Sequence, residues 1–200
     1  MTPAEQKVTL GAVPYLYPVP IVLVGAQVDG RANFETLGDC ALAGIRPALV
    51  MISSGADHHT NQGILANGTF SVNIPNTALL EKVDVCGMVS GRNVDKSALF
   101  DVFYGALETA PLIRECPVNL ECRVLREFSI EHRQVFVGEV VETHIDAAFA
   151  EEVAPGKWRV ADVTRLDPVL YALDNQYYGI GAPIGTGYEV GKPLKARLES

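Results

Sequence analysis

Pro47-Ala48-Leu49-Val50-Met51-Ile52-Ser53-Ser54-Gly55-Ala56-Asp57-His58-His59-Thr60-Asn61-Gln62-Gly63-Ile64-Leu65-Ala66-Asn67-Gly68-Thr69-Phe70-Ser71-Val72-Asn73-Ile74 is the stretch on which the reading of the fold turns. Its first six residues form a continuous apolar run too short for most helices, which predicts a buried strand. Its last six alternate, with Phe70, Val72 and Ile74 set against Thr69, Ser71 and Asn73, the period of a half-buried strand. Between them the pattern predicts a short helix over residues 60–66, with Thr60 as N-cap and Asn67-Gly68 as the stop. A helix this short is not the crossover of a doubly wound parallel sheet, so the segment points toward a closed antiparallel barrel.

The junction at residues 53–61 also carries chemistry. A helix N-terminus presents unpaired N–H groups and a positive dipole end, so it can hold a phosphate without a Gly-rich loop. His58, His59, Thr60, Ser53 and Ser54 crowd that point. Read alone, two adjacent histidines more often belong to an exposed loop. Together with the helix start they suggest an anion pocket suited to a phosphorylated cofactor.

Outward from this segment the strand signals continue. Residues 18–28 are apolar and β-branched, and Asp29-Gly30 is a turn signal leading into a strand near residues 32–36. Leu79, Leu80, Val83, Cys86 and Gly87 recur at helical spacing, predicting an amphipathic helix over residues 77–89 that Ser90-Gly91-Arg92-Asn93 ends. Residues 95–100 give a short second helix. Val118, Leu120, Cys122 and Val124 alternate with polar neighbours, and residues 134–143 read as the antiparallel partner, with the turn held by residues 127–133. Past Asp146 a short strand near residues 158–160 is expected, then an irregular arm at 165–191 with Tyr171, Tyr177, Tyr178 and Tyr188. Gly179-Ile180-Gly181 lacks dinucleotide-loop spacing and follows no strand of a βαβ unit. The expectation is six or seven strands with two or three short helices: mainly β, a barrel at residues 1–150 and an extension at 151–200 packing on the barrel or on a partner subunit.

Composition narrows the function classes. With 48% hydrophobic and 20% charged residues, the 200-residue chain suits a well-buried globular core. Its net charge of −8, with no Lys/Arg cluster, argues against nucleic acid and anionic membranes as partners. No segment approaches a membrane span, and the first residues carry no secretory pattern, so a cytoplasmic location is expected. Cys40, Cys86, Cys116 and Cys122 form no C-x-x-C pair and read as reduced thiols, and no spacing with the four histidines suggests a metal site. No hydrolase motif is present.

Four stretches then carry a family pattern. They are Pro20-Ile21-Val22-Leu23-Val24 followed by Asp29-Gly30-Arg31-Ala32-Asn33; the 47–74 block; Cys86-Gly87 with Ser90-Gly91-Arg92-Asn93-Val94-Asp95-Lys96; and Ala110-Pro111-Leu112-Ile113 with Glu115-Cys116-Pro117 and Leu120-Glu121-Cys122-Arg123-Val124. In this order and separation, covering residues 14–145, the chain resembles the flavin reductase-like FMN-binding split-barrel family, which includes flavoredoxins, ferric reductases and flavin reductase components of two-component monooxygenases.

The resemblance implies a Greek-key split barrel, a homodimer and FMN near the dimer interface. It assigns the flavin phosphate to the loop and helix start at residues 53–61, with contacts from His58, His59 and Thr60 and further donors from Ser53, Ser54 and Asn61. It assigns the ring to residues 33–40, where backbone amides, Asn33, Gly38 and Asp39 meet its polar edge and Cys40 lies close. Lys96 falls near the flavin or near an incoming nicotinamide dinucleotide, and Tyr177 and Tyr178 match a trailing aromatic segment that approaches a neighbouring flavin. The implied activity is hydride transfer from NADH or NADPH to FMN and onward to a flavin, ferric or protein acceptor, with no side-chain catalyst required. The alternative is a flavoredoxin-like FMN electron carrier without nicotinamide turnover.

Overall fold

The computed structural model describes residues 7–199; residues 1–6, on which the expectation of no leader rests, lie outside the described residues. After a two-residue β1 (Val19–Pro20), the chain builds β2 (Val22–Val28) and β3 (Arg31–Leu37) as a hairpin. Its turn is the expected one: Asp29 and Gly30 both take positive φ, 50° and 78°, as a two-residue hairpin demands. Then come β4 (Cys40–Gly44), β5 (Leu49–Gly55), α1 (His59–Asn67) and β6 (Thr69–Ile74). Next are α2 (Leu80–Met88), the short β7 (Val102–Phe103) and β8 (Leu112–Ile113), and the long pair β9 (Val118–Ile130) and β10 (Arg133–Ile145). The chain ends with β11 (Ala150–Ala154), β12 (Lys157–Val160), α3 (Val163–Leu166), β13 (Leu170–Tyr171), β14 (Tyr177–Tyr178) and α4 (Lys192–Leu198).

Seven strands form the main sheet in the order β3-β2-β6-β9-β10-β5-β4, every neighbouring pair antiparallel. It is a barrel left open between its edge strands, the mainly β split barrel expected. The interior strand β2 explains its own composition. Val22, Val24 and Ala26 face one core cluster with Ile52, Ile64, Phe70 and Phe136, while Ile21 and Leu23 on the opposite side join a second cluster with Phe34, Val83, Ile113 and Val169. A strand buried on both faces reads as a continuous apolar run, because neither parity meets water.

Several local expectations change. The 47–52 run is not buried on both sides: β5 begins at Leu49 and alternates, with Val50 and Ile52 inward and Met51 exposed. The strands of the β9–β10 pair run to Ile130 and Arg133, leaving only Glu131 and His132 as the turn in place of residues 127–133. Glu131 carries the required positive φ, 48°, without the usual Asn or Gly. Strands β4 and β11 lie where no strand was expected. The 165–191 arm is partly regular: β13 pairs with both β1 and β14, and Ile21 donates its amide to the Val169 carbonyl at 3.0 Å.

Candidate functional site

Beyond β5 the chain turns sharply. The His58 amide donates to the Gly55 carbonyl at 2.9 Å, and the Asn61 side chain donates to the same carbonyl at 2.7 Å. These bonds hold the entry to α1, whose flanking residue is His58 in extended conformation and not Thr60. Thr60 lies inside the first turn, and its hydroxyl is turned to the barrel, accepting a hydrogen bond from the Asn33 amide of β3 at 2.8 Å. The hydroxyl is thereby committed to the barrel wall rather than to the role of a cap.

A second wall comes from the end of α2 and the loop behind it. Arg92 donates to the Asp57 carbonyl at 2.8 Å and so ties this loop to the one before α1. Gly91 permits the approach: a Cβ there would stand 2.0 Å from Asn33 Oδ1 and 3.0 Å from His59 Cδ2. Beneath them Lys96 is only 3% exposed, and its Nζ donates to the Cys86 and Val89 carbonyls, 3.2 Å each. Burial pulls its pKa down, while the Cys86 and Glu35 groups oppose that pull. With two of its three N–H groups used, an ammonium retains one more donor.

These walls enclose a cavity of about 270 Å³ bounded by Glu35, His58, His59, Thr60, Arg92 and Lys96, among others. A larger space of about 610 Å³ continues from it past His59, Gly91, Arg92 and Lys96 toward Arg31. In a chain of net charge −8, basic groups have been gathered on one spot. Two buried atoms at the helix start, His59 Nδ1 and Asn61 Oδ1, have no hydrogen-bond partner among the described residues. Leaving such an atom unmet costs about 1–3 kcal/mol, which marks the place where a polar ligand would be gained.

His58 is held from behind. Its Nδ1 lies 2.5 Å from Oε2 of Glu35, a β3 carboxylate that is almost fully buried, and Ser54 Oγ donates to both carboxylate oxygens at 3.2 and 3.0 Å. The Glu35 hydrogen bond raises the His58 pKa against the opposing effect of burial; the Glu35 and Asp57 charges add to the rise, and Arg133 works against it.

The other expected site residues divide. Ser54 is fully buried and serves Glu35, the Ser53 hydroxyl accepts from Arg133 at 3.1 Å, and neither serine lines the cavity at the helix start. Gly38 and Asp39 line a different, more apolar cavity of about 440 Å³ with Ile21, Tyr171 and Tyr177, and Asp39 pairs with Arg133. Cys40 packs against the first core cluster, where burial raises its thiol pKa to about 11. Cys86, Cys116 and Cys122 are likewise raised by burial and, with Cys40, are free thiols. Tyr178 is exposed, its hydroxyl donating to Asp174 at 2.6 Å, and it borders neither cavity. Among the described residues no group of three His, Cys, Asp or Glu side chains is placed to hold a metal, and no helix is long and apolar enough to cross a membrane.

Sequence reading missed Glu35 and the role of Arg92. A carboxylate that shares a strand face with Asn33 and Leu37 was the available signal for Glu35. Arg92 stood inside a motif read only as a helix stop.

Comparison with known proteins bears on the family and the fold. The flavin reductase like domain matches residues 15–180. A flavoredoxin structure from Methanosarcina acetivorans is 38% identical, with a TM-score of 0.87 over 94% of this chain and 99% of its own. Flavoredoxin of Desulfovibrio vulgaris (Miyazaki F) is 28% identical, with a TM-score of 0.82 over 93% of this chain and 100% of its own. A putative flavin reductase with a split barrel domain from Shewanella frigidimarina, at 17% identity and a TM-score of 0.74 over 86% of each chain, shares the fold. With the match extending over most of its length, the chain belongs to the flavin reductase like domain family.

Proposed function

We propose that the cavity at the start of α1 holds the phosphate of FMN, and that the protein is an oxidoreductase taking hydride from NADH or NADPH. The observation that carries this reading is the convergence of His58, His59, Arg92 and Lys96 on one small cavity beside the first turn of α1. The donor set suits a phosphate monoester: backbone amides at a helix start, a guanidinium, an ammonium with a spare N–H, and an imidazole whose buried Nδ1 is unmet. The likeness to two flavoredoxins, and in fold to an FMN-binding protein from Thermus thermophilus, supports the same ligand.

Bound FMN would supply the hydride acceptor and the donor to the next partner. The chain's own part is to bind and orient. His59 and Arg92 grip the phosphate, Asn33 fixes Thr60 and with it the helix start, and Lys96 anchors the loop that closes the second wall. Gly38 and Asp39 would face the ring from the neighbouring cavity, with Cys40 beside them in the core. The active unit is a homodimer, with residues 151–200 reaching over the barrel toward the partner; Ile184 and Tyr188 are fully exposed in the single chain and suit such a contact. Four free thiols fit a reducing, cytoplasmic setting.

Rapid mixing of the FMN-loaded protein with NADH or NADPH tests the activity. Bleaching of the flavin absorbance within the mixing experiment is the expected result. Its absence with both donors would favour an electron carrier, a reading the likeness to two flavoredoxins also supports.

A further inference from the structure

We propose that Glu35 is a positioning residue that fixes His58 as the imidazolium at the phosphate cavity and so makes flavin binding depend on pH. This rests on the reading of that cavity as the FMN phosphate site.

Glu35 lies on β3, one edge of the sheet, and Ser54 on β5, next to the other edge strand β4, so their hydrogen bonds join the two ends of the sheet. A carboxylate can only accept, so across the 2.5 Å contact it is His58 Nδ1 that donates. Nδ1 therefore keeps its proton in both charge states, and the titrating nitrogen is Nε2. Nε2 has no hydrogen-bond partner among the described residues, and the ring is half exposed, with its Cδ2–Nε2 edge laid over Gly55. A Cβ at Gly55 would come within 2.8 Å of both atoms, so glycine is needed for the ring to lie there.

Protonated, Nε2 is a charged donor; deprotonated, it presents a lone pair to an anion. The change at one atom turns attraction into repulsion. The groups facing His58 are Glu35 from β3, Ser54 from β5, Asp57 in its own loop and Arg133 from β10, with His59, Arg92 and Lys96 around the same cavity. Ser54 Oγ also lies 3.0 Å from Nδ1, but Glu35, at 2.5 Å, is the one charged group in hydrogen-bonded contact with it. Its removal should thus lower the pH at which His58 discharges, while a purely structural loss would weaken binding at every pH alike.

The experiment measures dissociation constants for FMN and riboflavin from pH 5.5 to 9 with the full chain, Glu35→Gln, Glu35→Asp and His58→Gln. A phosphate monoester loses its second proton near pH ~6, which sets an acid limb common to all variants. For the unaltered protein FMN affinity should fall on the alkaline side, with a midpoint above the ordinary histidine value of about 6.5, while riboflavin shows no such fall. Glu35→Gln should move that midpoint to lower pH, Glu35→Asp should restore part of the shift, and His58→Gln, at a half-exposed position that tolerates change, should abolish the limb. A midpoint unmoved by Glu35→Gln, an alkaline limb that survives His58→Gln, or riboflavin following the same curve would each overturn the proposal. FMN bound with a flat profile overturns it while sparing the phosphate site, whereas failure to bind FMN at any pH overturns the phosphate reading itself.

Discussion

Asn33 and Thr60, 27 residues apart in sequence and both buried, meet through a 2.8 Å hydrogen bond from the Asn33 amide to the Thr60 hydroxyl. This bond joins β3 to the first turn of α1 and sets the height of the helix start against the barrel. Thr60→Val keeps the shape and removes the acceptor, leaving a buried amide N–H unmet. Urea denaturation should show a loss of about 1–3 kcal/mol. Thr60→Ser, which keeps the oxygen, should lose markedly less.

Lys96 does for the second wall what Asn33 does for the first. Its two bonds satisfy carbonyls at the C-terminal end of α2, where orphan acceptors and the negative dipole end favour a cation. Lys96→Met preserves most of the volume and should cost about 1–3 kcal/mol in denaturant unfolding. The loop carrying Arg92 should loosen with it, so FMN affinity is expected to fall more than in Arg92→Lys.

A second carboxylate–histidine pair lies away from the cavity. Burial alone would raise the Glu121 carboxyl, but the His144 contact at 2.7 Å and the Leu107 and Ala106 amides outweigh it and hold its pKa below the usual carboxylate value. A folded-state pKa below the unfolded one gives stability that is complete above the unfolded value, about 4.3, and disappears as pH falls through the folded value. Glu121→Gln should therefore lower stability at pH 7 and flatten the acid side of the stability–pH curve. Thermal unfolding followed from pH 7 down to pH 3 reads both effects.

Gly63 is where α1 crosses β2. A Cβ there would stand 2.4 Å from the Gln27 carbonyl oxygen and 2.9 Å from its carbonyl carbon and from Val28 Cγ2, and the β2 backbone has little room to yield. Gly63→Ala should destabilise by about 1–3 kcal/mol despite the better helix propensity of alanine. Because the helix would be pushed off the barrel, FMN affinity should drop as well, read by flavin titration.

The barrel was legible where chemistry repeats along the chain. The two-faced burial of β2 made an unbroken apolar run, the Asp29-Gly30 turn announced the first hairpin, and the alternation from Thr69 to Ile74 gave β6 with its bounds, although its polar face is buried too, with Ser71 and Asn73 hydrogen-bonded inside. What escaped depended on contacts between distant residues. Thr60 has the side chain of a helix cap, and only Asn33 across the barrel diverts it. Ser53 and Ser54 look like ligand donors, but Arg133 donates to the first, the second donates to Glu35, and neither lines the cavity. Glu131-His132 closes a two-residue turn without Gly or Asn, because the long β9–β10 ladder imposes the turn that local preference would not select. Lys96 was placed by the family pattern alone, and nothing local in the sequence announces the α2 carbonyls that draw it inside.

The comparison of FMN with riboflavin at pH 7 is the most direct test of the central claim, because the two ligands differ only in the phosphate. Two or more charge-assisted hydrogen bonds at about 1.5–3 kcal/mol each predict FMN binding at least ~100-fold tighter than riboflavin. The same titration with His59→Ala/Thr60→Ala should bring the two affinities close together. Equal affinities for FMN and riboflavin in the unaltered protein would contradict the account.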